Sequence, residues 1–320
     1  MRGLALLGLC VLVSPASLPC CGVTREEPLE FGGQLNLIVW DDDKKVQHFV
    51  RVAHFEGQVE KLGFVAPTPS VPKLAEVDAK VFETLYDTTG VSAMQASEGF
   101  DGSPSSKVEV VQDVRVGIYR AKTLRANDKD ALNAYLKEEG FQFSADGKEW
   151  LAHYVDKDWY LTSFTVVQQN AQLSTSAIAM SFAAEEPFNP AYVPPDNIGT
   201  RSKFRLYFVA DREAISGHVG NDSIRPVLSE PLDEAAHQIN EDLKKSEIRV
   251  TPSMHVTLFE QSFSPRWKED LTFRFADSSE QKPVPAQASG APAATIIAVG
   301  LAGLIIGGGI VLWLNAASKS

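Results

Sequence analysis

Cysteine is scarce: three in 320 residues, at Cys10, Cys20 and Cys21. Cys10 lies in an N-terminal segment expected to be removed, and two adjacent cysteines cannot staple a body of this size, which excludes a disulfide framework. Cys20 and Cys21 are left as a vicinal bridge, an intermolecular bond or a lipid attachment point. Against the last, Cys20 stands immediately before Cys21, where a lipoprotein site has Gly or Ala. Positive charge is also short, with 30 Lys and Arg against 41 Asp and Glu and a formal net charge of −11. Setting aside Arg2 and Lys319 leaves the remainder more acidic still, which argues against nucleic acid or anionic lipid as a partner.

The signatures of common chemistries are missing. There is no HExxH, CxxC, P-loop, GxGxxG or GxSxG, so the usual zinc, redox, nucleotide and nucleophile-elbow patterns are absent. The six histidines are His48, His54, His153, His218, His237 and His255, with no pair at helical ligand spacing. His48 and His54 share a strand face, but at about 3.3 Å per residue they stand roughly 20 Å apart, too far for one metal. His237 reads as a helical neighbour of Glu241, and Ser216-Gly217-His218 as a loop. Asp41-Asp42-Asp43 lacks the spaced oxygens and distal Glu of a calcium loop and reads as a solvated turn. Glu185-Glu186 offers one half of a glycosidase carboxylate pair, without a second half to nominate. Asn221-Asp222-Ser223 matches a glycosylation sequon. No residue is therefore nominated as catalytic, cofactor-binding or metal-ligating, and no cofactor is expected.

What is present begins with two uncharged apolar runs. Arg2 precedes the run Leu4 to Val13 and the small residues Ser14-Pro15-Ala16-Ser17, the order of a secretory signal, with cleavage expected after Ala16. That run is too short to span about 30 Å of hydrocarbon as a helix. From Ala293 to Leu314 no residue is charged and only Thr295 carries a polar side chain, which at about 1.5 Å per residue is long enough to cross. Trp313 stands where an interfacial aromatic belongs. Gly303 and Gly307 form a GxxxG that permits close helix contact. The expected organisation is a signal at 1–16, an extracytoplasmic body at 17–277 of one large domain or two small ones, and a Pro/Ala/Ser spacer at 278–292. A transmembrane helix at 293–314 and a cytoplasmic tail at 315–320 follow.

Within the body, strands dominate. Leu35 to Trp40 and Val46 to Phe55 flank the charged turn as a hairpin. Val108, Val110, Gln112, Val114, Val116 and Ile118 fall on one face of a long strand, with Glu109, Asp113 and Arg115 on the other. Trp159 to Val167, Ile178 to Phe182, Phe204 to Val209, His255 to Phe259 and Leu271 to Phe275 repeat the pattern. Asn127 is placed as the cap of a helix carrying Leu132, Tyr135 and Leu136 and closed by Gly140. Further helices are expected over Val77 to Tyr86 and Asp233 to Lys244. The class is α+β, mostly antiparallel sheet with a few short helices, plus the C-terminal span. The segments 63–72 and 181–190 share Phe64/Phe182, Ala66/Ala184, Pro69/Pro187 and Pro72/Pro190, a hint of duplication.

Cys20-Cys21, Val39-Trp40-Asp41, His48-Phe49-Val50-Arg51 and Gly63-Phe64-Val65-Ala66-Pro67-Thr68-Pro69 resemble an exported bacterial family, domain of unknown function 2330. The resemblance continues at Asp130-Ala131-Leu132 with Leu136, Tyr154-Val155 with Trp159, Met180-Ser181-Phe182 with Pro187, and Leu206-Tyr207-Phe208. It implies an extracytoplasmic location, often with a C-terminal anchor, and carries over no reaction and no catalytic residue. The expected function is a membrane-anchored binding or structural ectodomain; the alternatives are an extracytoplasmic hydrolase or an assembly partner of another membrane protein. Expected partners are the lipid bilayer through the C-terminal helix and a protein of the envelope, with no nucleic acid. Trp40, Trp150 and Trp159 adjoin charged residues at segment ends and are candidates for core anchors or for a recognition surface.

Overall fold

A computed structural model describes residues 34–52, 63–90, 108–141, 143, 145–167, 176–192, 204–219, 222–261 and 267–276. The chain divides into two compact units, Met1–Pro283 and Val284–Ser320, and every described residue belongs to the first. The expected signal, spacer, span and tail lie outside the described residues. Among the described residues, no helix is long and apolar enough to cross a membrane.

The largest element is a seven-stranded sheet. Its order is β13 (Leu228–Pro231), β14 (His255–Gln261), β10 (Phe204–Ala210), β1 (Gln34–Asp41), β2 (Val46–Val52), β8 (Ser176–Ala183) and β4 (Lys73–Asp78). Its pairings are antiparallel except for β1 with β10. Both faces are covered, which is why β10 is apolar except for Arg205 and buried along its whole length. One face carries Leu37, Val39, Val50 and Val209 and packs under two helices, α1 (Val81–Thr89) and α4 (Ala235–Asp242), through Val81, Leu85, Ala236 and Ile239. The other carries Ile38, Trp40, Phe49, Met180 and Phe208 onto two smaller sheets.

The first small sheet runs β3 (Gly63–Thr68), β7 (Tyr160–Val166), β6 (Tyr119–Arg125), β5 (Glu109–Val116). Phe64, Tyr119 and Phe164 face the large sheet. Its outer face is closed by α2 (Lys129–Glu138) and α3 (Ala145–Val155), where Leu132, Leu136, Trp150, Leu151 and Tyr154 meet Val65, Leu124 and Leu161. Gly63 lets β3 come this close, since a Cβ there would stand 2.5 Å from the Phe141 ring and 2.7 Å from the Phe164 carbonyl oxygen. The second small sheet runs β12 (Asp222–Ile224), β11 (Ala214–Val219), β15 (Leu271–Phe275), β9 (Phe188–Asn189). The α+β class with mostly antiparallel sheet and short helices is what these elements form.

Several boundaries differ from expectation. Val77 lies in β4, not in a helix, and α1 begins only at Val81. Asp128, not Asn127, caps α2: its carboxylate accepts the main-chain N–H of Asp130 and Ala131, both at 2.8 Å. The strand expected through Ile118 ends at Val116, where Gly117 turns the chain at φ 56°, and a bulge between Val110 and Gln112 breaks its alternation. Val110 and Val111 are consequently exposed on an edge strand. Ser216 to His218 is part of β11 and not a loop, with Ser216 Oγ 2.8 Å from His218 Nε2. The paired segments 63–72 and 181–190 enter different sheets, since Phe64 lies within β3 and Phe182 near the end of β8.

Candidate functional site

Five segments converge on one open cleft of about 1010 Å³. The β1–β2 turn brings Lys44 and Lys45, the β3–β4 corner brings Pro69, and the end of α3 brings His153, Lys157 and Trp159. The β8–β9 turn brings Glu185, Glu186 and Phe188, and the approach to β15 brings Glu269, Asp270 and Thr272. The volume is at the upper end of the range for small-molecule sites, about 300–1,000 Å³.

Local bonding fixes each wall. Asp41 accepts the Lys44 main-chain N–H at 2.9 Å and pairs with its ammonium, while Asp42 pairs with Lys45 and Arg212 and accepts the Trp40 indole N–H. The Lys44 and Lys45 hydrogen bonds hold the Asp41 and Asp42 carboxyls below the usual range. The Ala184 N–H reaches the Lys45 carbonyl at 3.0 Å, and Ser70 Oγ donates to the Ala183 carbonyl at 2.9 Å, so two turns are laced to the end of β8. Beneath them the buried Gln47 side chain donates to the Phe188 carbonyl and accepts the Phe188 N–H, both at 2.8 Å.

The opposite wall hangs on Asp270. Its carboxylate accepts Tyr154 Oη–H at 2.7 Å, the Lys157 ammonium at 2.7 Å and the Ala191 N–H at 3.1 Å. Lys157 Nζ then lies 4.9 Å from the centroid of Trp159, and Trp159 leans on Phe188 at 4.8 Å. His153 stacks on Tyr192 with centroids 4.0 Å apart and planes 2° from parallel, and its buried Nε2 has no hydrogen-bond partner among the described residues. Burial, reinforced by Lys157, pushes the His153 pKa down. Burial and the Glu149 carboxylate that accepts its hydroxyl push Tyr192 up to about 12.

The remaining sequence candidates fall as follows. Trp40 and Trp150 are core anchors, and Trp159 alone of the three lines the cleft. His48 leaves the solvent for the large sheet, where its Nδ1 is 2.7 Å from Ser181 Oγ on the neighbouring strand; its pKa is lowered chiefly by burial. That pair does not line the cleft. His237 is exposed on α4, and His54 and Asn221 lie outside the described residues. Glu185-Glu186 gains what the sequence did not supply, a second acidic wall at Glu269 and Asp270. Among the described residues, no group of three or more His, Cys, Asp or Glu could hold a metal ion. Lys157, Asp270 and Gln47 carry no signal in the sequence, where His153 stands only as one of six histidines without a ligand partner. The apolar spacing Trp150, Leu151, Tyr154, Val155 was the available signal for α3, obscured by Gly147.

The two lowered histidines set a pH dependence. Each binds its proton more weakly folded than unfolded, so the stability that depends on their neutrality is present above the unfolded value of about 6.5 and is lost progressively as pH falls from there through the lower folded pKa. Thermal melts between pH 7 and pH 5 should show a falling midpoint, and His153→Phe, which keeps a ring on Tyr192, should flatten the slope. A slope unchanged in that variant would remove His153 from the account.

The fold and cleft define a sheet-rich α+β body with a mixed-charge, aromatic-walled cleft. The chain belongs to the family described as "Uncharacterized protein conserved in bacteria (DUF2330)", whose model matches residues 15–214. The Glu269–Thr272 wall lies beyond the matched residues. No curated protein matches the chain. Among solved structures, a mutated baculovirus P35 after caspase cleavage is similar over 78% of this chain and 99% of that one, at 9% identity and a TM-score of 0.35. A likeness that low carries no argument about this chain.

Proposed function

We propose that the protein is an exported, membrane-tethered binding domain whose ligand seat is the cleft between the β8–β9 turn and the end of α3. The observation that carries this is the construction of the cleft. Trp159, Phe188 and His153 give apolar contact area, and exposed carboxylates and ammonium groups stand at its rim. The backbone beneath is fixed by Gln47 and Asp270. Aromatic area in a pre-formed concavity with a few placed polar groups is what binding sites share. The uncharged run 293–314 supports tethering, and the order of residues in 1–16 supports export.

Two measurements test this. Protease added to intact spheroplasts should digest the body and spare a tag placed after Ser320; a protected body would refute the topology. Tryptophan fluorescence of the full chain, titrated with fractions of a bacterial envelope extract, should shift, and Trp159→Phe should abolish the shift. If no fraction gives a Trp159-dependent change, the cleft is not a ligand seat.

A further inference from the structure

We infer that the cleft selects ligands carrying alkylammonium groups; this rests on its being the ligand seat. The molecule already holds one such group there. The Lys157 ammonium sits 4.9 Å from the Trp159 centroid and 5.6 Å from that of Tyr154, with Asp270 2.7 Å away, an aromatic-and-carboxylate seat for a cation.

The ion pairs around it decide the sign of what else can enter. Each cleft lysine is matched with an aspartate: Lys44 with Asp41, Lys45 with Asp42 and Lys157 with Asp270. Glu185, Glu186 and Glu269 are exposed and pair with no cation among the described residues. An incoming anion meets ammonium groups that are already committed and three carboxylates that repel it. An incoming ammonium meets three unmatched carboxylates beside an aromatic wall, and its alkyl stem has Trp159 and Pro69 to lie against. The cleft is large enough for a chain with several such groups, so a polyamine and a lysine-bearing peptide present the same chemistry to it.

Calorimetric titration of the full chain in an uncharged detergent tests this with four probes: spermidine, tetralysine, tetraglutamate and a neutral tetrasaccharide. The cationic probes should bind, weakening with added salt. The triple substitution Glu185→Gln, Glu186→Gln, Glu269→Gln should weaken them at least tenfold. A control triple at exposed positions elsewhere, Glu109→Gln, Glu230→Gln, Glu241→Gln, should leave them unchanged and thereby exclude general attraction to an acidic chain. Tighter binding of tetralysine than of spermidine assigns the seat to peptides, and the reverse order to free polyamines. Failure of both cationic probes to bind, or equal binding by the cleft triple variant, overturns the inference. If tetraglutamate or the saccharide binds instead and Trp159→Phe abolishes it, the cation preference falls and the ligand seat stands. If no probe gives a Trp159-dependent signal, both fall.

Discussion

Replacing Asp270 by Ala should destabilise the body by about 2–6 kcal/mol, because two buried donors lose their acceptor at about 1–3 kcal/mol each. Those donors are the Tyr154 hydroxyl and the Ala191 N–H. Lys157 is left out of this sum: its side chain is 35% exposed against 7% for Asp270, so the freed ammonium turns to water. For the same reason Lys157→Met should cost less than Asp270→Ala, since Asp270 keeps its other two donors. Urea unfolding followed by circular dichroism measures both, as a fall in midpoint at unchanged slope. A midpoint for Asp270→Ala equal to that of the parent would show that these bonds are not holding α3 and the segment after β9 to the approach of β15.

Much of the fold was legible because it depends on apolar periodicity. The hairpin of β1 and β2, the strands β7, β8, β10, β14 and β15, and the stripe of α2 all stand where alternation or helical spacing puts them. What failed, failed for local reasons. Val77 fits a helical stripe with Val81 and Leu85 equally well as a strand position, and its pairing with Ala177 of β8 decides the matter. Asn127 and Asp128 are equivalent caps on paper, and the backbone of Asp128, extended at φ −141° and ψ 119°, makes the choice. The bulge in β5 is invisible to a period of two. The cleft was less legible still. Its carboxylates and lysines come from turns far apart in the chain, and Trp159, Glu185 and Asp270 meet only because two small sheets pack side by side on the large one. No spacing in a single segment encodes that meeting. Gln47 shows the same limit: a polar residue in an apolar strand invites placement on the wet side, yet its amide is buried because the main chain of Phe188 satisfies it.

Gln47→Leu is accordingly the second substitution with a large expected effect, about 2–6 kcal/mol, from two buried main-chain groups losing partners at about 1–3 kcal/mol each. Leucine matches glutamine closely in size, so packing is preserved and the loss is specifically polar. The Gln47 side chain is fully buried. No water can replace it without opening the contact between β2 and the β8–β9 turn. β9 is only two residues long and pairs with β15 through Asn189 and Phe188; the large sheet holds it by two buried amides, Gln47 on the main chain of Phe188 and Asn36, which donates to Asn189 Oδ1 at 3.1 Å. Loss of the Gln47 amide should therefore appear locally before it appears globally. Amide hydrogen exchange at Phe188 should accelerate by orders of magnitude under native conditions, while exchange in β10, at the centre of the large sheet, should change only by the global loss of stability. The same release frees the wall that carries Glu185 and Glu186, so ligand affinity should fall although neither glutamate has changed. Protection at Phe188 equal to that of the parent would mean that β15 and the other bonds to this segment fix it without Gln47, and the coupling of the cleft to the large sheet through Gln47 would have to be abandoned.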